Sequence, residues 1–102
     1  MTMSKEVNNV LDTLIHHKLK GKGKPLDYSN DLKLIIRIAQ KLGLFRFYNI
    51  SEYGHDSDIG FQITSKSEYK VISVADTLST ALALACLKLL EERDSEDEIQ
   101  ID

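Results

Sequence analysis

The chain has no tryptophan, one proline, one cysteine and five glycines among its 102 residues. The single thiol, Cys86, cannot close an internal disulfide, so no covalent staple helps the fold. The longest uninterrupted apolar run, Ala81 to Leu87, is seven residues, far short of the roughly 20 that cross a bilayer as a helix. The opening stretch MTMSKEVNN has no apolar segment of the kind found in a signal peptide. These absences point to a cytoplasmic protein with no membrane attachment. With only four Tyr and three Phe as aromatics, the core is expected to be aliphatic.

What is present is ordinary for a globular domain. Hydrophobic residues make up 42% and charged residues 28%, enough for one domain with one modest core. The net charge of −3 hides an asymmetry. Residues 1–51 hold nine Lys/Arg against four Asp/Glu, and residues 52–102 hold four against twelve. Much of the acid lies in EERDSEDEIQID, residues 91–102, a block that reads as a disordered tail or a solvated helix end.

Periodicity predicts a first helix from about Ser4, its N-cap, to Leu19, with Val7, Val10, Leu11, Leu14 and Ile15 as its apolar stripe. Gly21, Gly23 and Pro25 end it. A second helix starts at a cap from Ser29 or Asn30 and has Asp31 in its first turn. Leu32, Ile35, Ile36, Ala39 and Leu42 form its stripe, Leu34 and Ile38 widen it, and Gly43 suits the left-handed position that closes it. Lys33, Arg37 and Lys41 line the remaining face. FRFYNISEY, 45–53, reads as a strand, YGHDSDIG as a polar hairpin loop, FQIT, 61–64, as a second strand, and YKVISV, 69–74, as a third or an extension. Short connections favour antiparallel pairing. A last helix, capped by Asp76 or Thr77, runs to about Glu92. Leu78, Leu82, Ala85 and Leu89 form its main stripe; Leu84, Leu87 and Leu90 make it apolar almost all round, so either a sheet with a neighbouring helix or a second subunit must cover it. The expected fold class is α+β: a small antiparallel sheet of two to three strands packed with three helices, in the order α-α-β-β-(β)-α. Residues 1–92 form the single domain and 93–102 the acidic C-terminal tail.

The chemistry-bearing patterns all fall short of a motif. In HKLKGKGKP, 17–25, Gly23-Lys24 is followed by Pro25, and Lys18 stands where a P-loop needs its first glycine. The loop lysines Lys18, Lys20, Lys22 and Lys24, with Lys33, Arg37 and Lys41, remain candidate contacts for phosphate as point charges. Asp56 and Asp58 open a calcium-loop pattern, but Phe61 and Ser67 occupy the positions that need Gly and Glu. His16 and His17 are adjacent, about 100° apart on a helix, and read as surface histidines near a basic helix end. Cys86, among apolar neighbours, reads as a buried and inert thiol. Neither a nucleophile elbow nor a separated carboxylate pair is present. No enzyme, no cofactor and no metal site is expected.

One ordered set of motifs carries a resemblance. LDTLIHHKLKGKGKPLDYSND, 11–31, places Leu-Asp, an apolar helix end, Lys, Gly and Pro before Tyr28-Ser29-Asn30-Asp31. VADTLSTALALACLKLLE, 74–91, places Ala-Asp-Thr before an Ala/Leu-rich helix holding Cys86. Over roughly residues 7–92 this order resembles the phage ABA sandwich domain, a family of small proteins encoded by bacteriophages and prophages. Members often carry Tyr-Ser-Thr-Asp where this chain has Asn30 third, and a Trp before the last helix where this chain has Phe61. The resemblance implies helices covering an antiparallel sheet and a phage or prophage origin; it implies no activity. The residues alone explain Tyr28 to Asp31 and Asp76-Thr77 as helix starts, worth about 1 kcal/mol each, with anion binding near two helix N-termini as the alternative. The functional expectation is a non-enzymatic protein-interaction module. It would form a homodimer, with Leu84, Leu87 and Leu90 as candidate interface, and bind a host or phage protein. The alternative is a nucleic-acid or nucleotide binder using the basic N-terminal half.

Overall fold

A computed structural model describes residues 5–55 and 58–100, with side chains from 8 to 54 and from 59 to 93. Helix α1 spans Lys5–Lys18, α2 Leu32–Leu42 and α3 Leu44–Phe47. Strands β1 (Tyr48–His55), β2 (Asp58–Ser65) and β3 (Val71–Ala75) follow, and α4 (Leu78–Gln100) closes the chain. The strands form one antiparallel sheet in the order β1-β2-β3. This is the expected α+β fold, with helices packed on the sheet.

Helix α4 is the hub. It packs on β2 and β3 on one side and on α1 and α2 on others. Ala81, Leu82, Ala83, Ala85, Cys86 and Leu90 are all buried along it. Its small alanines let neighbours approach from several directions, which is how one chain hides a helix that is apolar all round. Of the candidate interface residues, Leu90 lies in the core, and Leu84 and Leu87 are partly buried against it. The helix also runs to Gln100 rather than ending near Glu92.

At the start of α4 the Thr77 hydroxyl accepts the Thr80 N–H at 3.2 Å, a side-chain cap. In α2 the cap is Asp31, not Ser29 or Asn30: its carboxylate accepts the Leu34 N–H at 3.2 Å. Gly43 closes α2 in the left-handed conformation, φ 76°, with its N–H turned back to the Ala39 and Gln40 carbonyls. Ile35 and Ala39 face the core, and Lys33, Arg37 and Lys41 face solvent.

Three local expectations change. Leu44 to Phe47 form one helical turn, and β1 starts only at Tyr48. Leu44 is buried, and that anchor holds the turn against the strand preference of its aromatics. The strands also run into the loop expected at 53–60, pairing Tyr53 with Gly60, Gly54 with Ile59 and His55 with Asp58. Asp56 and Ser57, the centre of the calcium-like pattern, lie outside the described residues, as does Ser4, the expected cap of α1. Finally, α1 is rotated from its predicted stripe. Leu11 and Ile15 are buried, but Val10 is 60% and Leu14 44% exposed. The inward face instead includes Asp12 and His16.

The inner face of the sheet presents Phe61, Ile63 and Ala75 to α4, and the Ser73 hydroxyl donates to the Ala81 carbonyl at 2.8 Å. A bulge at Ile72 breaks the β2–β3 register between the Ile63–Ser73 and Thr64–Val71 pairs. The outer face carries Asn49, Ser51, Tyr53, Gln62, Thr64, Val71 and Val74, since strand side chains alternate. Of these, Tyr53, Val71 and Val74 are exposed.

Candidate functional site

Asp12 and His16 lie one turn apart on α1, so both point at the loop that returns between α1 and α2. The Asp12 carboxylate accepts the Ser29 N–H at 2.7 Å. The Ser29 carbonyl accepts from the Thr80 hydroxyl of α4 at 3.0 Å. Residues 12, 29 and 80, far apart in sequence, thus close into one buried chain of bonds. Burial pushes the Asp12 carboxyl above its ordinary range; the Ser29 N–H opposes this, and the neighbouring Asp27 charge adds to it. The Ser29 hydroxyl, fully buried, lies near enough to Asp12 to favour its charged form but meets no hydrogen-bond partner in good geometry.

His16 is the second knot. Its Nε2 lies 3.2 Å from the Lys22 carbonyl and its Nδ1 2.7 Å from the Tyr28 hydroxyl. A carbonyl only accepts, so Nε2 carries the proton; in the neutral ring Nδ1 then accepts from Tyr28. Burial, and then the Asp12 charge, push the Tyr28 hydroxyl above its usual range. Gly21 lies against the imidazole: a Cβ there would sit 2.3 Å from the ring. Its N–H donates to the His16 carbonyl at 2.8 Å. The reading of both histidines as surface groups is corrected: His17 is exposed, His16 is buried.

Chemically this constellation is a clasp. Its described bonds are satisfied within the protein, while among the described residues the buried Ser29 hydroxyl and Asn8 Oδ1 have no hydrogen-bond partner, and Asp12, Tyr28, Ser29 and Thr80 are buried. The region before α2, considered from sequence as an anion site, already holds the Asp12 carboxyl group, which accepts the Ser29 N–H. Sequence reasoning missed this because Asp, His and Ser read as solvent-facing. A usable signal was present, since Asn8, Asp12 and His16 recur every four residues beside Leu11, Ile15 and Leu19.

Helix geometry divides the predicted basic residues into two groups. Lys20, Lys22 and Lys24 are exposed on the loop folded over His16, with Lys18 partly buried at its base. Lys24 borders a shallow recess with Asp12 and Asp27, where the acids weaken its pull on an anion. Lys33, Arg37 and Lys41 form the second group, exposed along α2. Lys41 also lines a groove of about 640 Å³ with Gln40, Phe45, Arg46, Phe47 and Arg93. Arg46 and Arg93 had not been singled out from sequence.

On the far side of Phe47 a second groove runs between the sheet and α4, lined by Tyr48, Glu68, Lys70, Lys88, Glu91 and Glu92 among others. Burial, then the Glu92 and Glu68 charges, push the Tyr48 hydroxyl up. Cys86 is fully buried, and its thiol is pushed up to about 12. Among the described residues no group of three or more His, Cys, Asp and Glu is placed to hold a metal ion. None of the described helices is long and apolar enough to cross a membrane.

No family model, curated protein or solved structure matches the chain.

Proposed function

We propose that this chain is a non-enzymatic protein-interaction module, phage- or prophage-encoded as the motif resemblance implies, acting in the cytoplasm of a bacterial host. The observation that supports it is the exposed outer face of the sheet, flanked by the eight-residue edge strand β1. Tyr53, Val71 and Val74 are exposed on that face. A partner supplying an extended segment extends the sheet at β1 and sets its side chains beside Ser51 and Tyr53, the mode known as strand addition. A homodimer uses the same edge, since most of the apolar side chains of α4 are buried inside the chain and Leu84 and Leu87 are partly so.

The test is light scattering over a wide concentration range, with capture from host lysate after nuclease treatment. Ser51→Lys and Val74→Lys place charge on the outer face, a natural block to edge pairing. Loss of the dimer or of the captured protein in these variants, with an unchanged melting temperature, is the expected result. Association that survives both substitutions refutes the sheet as the docking surface.

A second reading, binding of nucleic acid or another phosphate anion by the basic half, is favoured by the groove that joins Lys41 to Arg46 and Arg93.

A further inference from the structure

We infer that the α2 face and the groove at its end form a binding track for single-stranded nucleic acid, with Phe47 as its stacking platform. This rests on the second reading above and narrows it to a ligand and a set of residues. Lys33, Arg37 and Lys41 repeat every fourth position on the exposed side of α2, so they stand in a row with steps of about 6 Å along the axis. The row leads into the groove, where Arg46 of α3 and Arg93 of α4 meet Lys41. Among the described residues no carboxylate lines that groove, although the protein as a whole is acidic. Phe47 is 61% exposed on its rim.

The plain alternative is that these cations only neutralise the C-terminal end of α2. That end carries about half a negative charge, and its carbonyls are largely served already. Gly43 N–H turns back to Ala39 and Gln40, and Arg93 donates to the Leu42 carbonyl at 3.2 Å. Lys33, Arg37, Lys41 and Arg46 are surplus to that need. A surplus row of cations ending at an exposed phenyl ring is the pattern that tracks a single-strand backbone while stacking its bases. A duplex offers phosphates but hides its bases, so the ring selects single strands. The lysines of the 18–24 loop belong to the His16 clasp and stand outside this track.

Fluorescence anisotropy with a labelled 15-nucleotide oligo-dT, its RNA counterpart and a duplex of equal length tests this on the full chain. Five neutralised phosphates predict an affinity loss of about a hundredfold between 50 and 200 mM salt. Phe47→Ala is expected to weaken single-strand binding about tenfold or more and duplex binding little. Lys41→Gln with Arg46→Gln should flatten the salt dependence, and Lys20→Gln with Lys22→Gln should leave it unchanged. All are exposed positions, and circular dichroism confirms folding of each variant. Salt-dependent binding that is equal for duplex and single strand and indifferent to Phe47→Ala overturns the inference but leaves the second reading standing. No binding of any oligonucleotide at 50 mM salt overturns both.

Discussion

Gly21→Ala should destabilise the protein, and the effect should change sign when His16 is removed. The added Cβ would lie 2.3, 2.5 and 2.6 Å from three atoms of the imidazole, where ordinary contacts begin at 3.4 Å. The ring must therefore retreat by about 1 Å. It is not free to do so, because both nitrogens are bonded, to the Tyr28 hydroxyl and to the Lys22 carbonyl. Overpacking costs about 1–3 kcal/mol, and losing one buried hydrogen bond adds about 1 kcal/mol, so the expected loss is about 2–4 kcal/mol. The backbone does not oppose alanine, since the left-handed glycines are Gly23, Gly43 and Gly54 and not Gly21. In a His16→Ala background the clash disappears. Gly21→Ala should then be neutral or stabilising by up to about 1 kcal/mol, through reduced freedom of the unfolded chain. Urea unfolding of the four proteins, with midpoints compared at constant m-value, measures the coupling. If Gly21→Ala costs the same with and without His16, the imidazole is not what excludes a side chain there.

Four further outcomes follow from the same contacts. Asp12→Ala leaves the buried Ser29 N–H unpaired and should cost about 1–3 kcal/mol; Asp12→Asn keeps an acceptor and should cost far less at neutral pH. Because the folded Asp12 holds its proton more tightly than the unfolded one, wild-type stability should rise relative to Asp12→Asn as pH falls through the raised carboxyl value, and denaturation at pH 7 and pH 4 compares them. Cys86 should resist thiol reagents in the native protein, being buried with its thiol pushed up to about 12, and should react in urea; fast native labelling would contradict its burial. Thr77→Ala should cost about 1 kcal/mol by uncapping α4, read from the thermal midpoint.

Where side-chain pattern and local chemistry agreed, the fold was legible. Helix α2 buries Ile35 and Ala39 of its stripe and ends at Gly43 as read, although Leu32 at its start is 41% exposed. Where a polar residue is inward, the pattern misled. Asp12 and His16 displaced Val10 and Leu14 from the core, because loop 19–31 supplies bonding partners that periodicity cannot foresee. Phe45–Phe47 read as the start of a strand, since their aromatics favour one, but they form a helical turn with Leu44 buried at its start. The clasp was invisible for a related reason: its bonds link residues 17 and 51 apart. The α2 row of cations was legible, but its continuation to Arg93 needs the packing of α4 beside α2.

Two of the long-range bonds have a shared arithmetic. Thr80 reaches Ser29 just before α2 begins, and Arg93 reaches Leu42 where α2 ends; both span 51 residues. Helices α2 and α4 therefore run side by side in the same direction. Neighbouring parallel helices cannot be joined by a short turn, and here the whole sheet serves as the crossover between them. The β1–β2 hairpin is expected to close from local contacts before α2 is seated against α4, whose bonds to it span 51 residues. Amide exchange should accordingly show the start of α2 and the loop before it opening ahead of the sheet, with the clasp as the last joint made in folding and the first released.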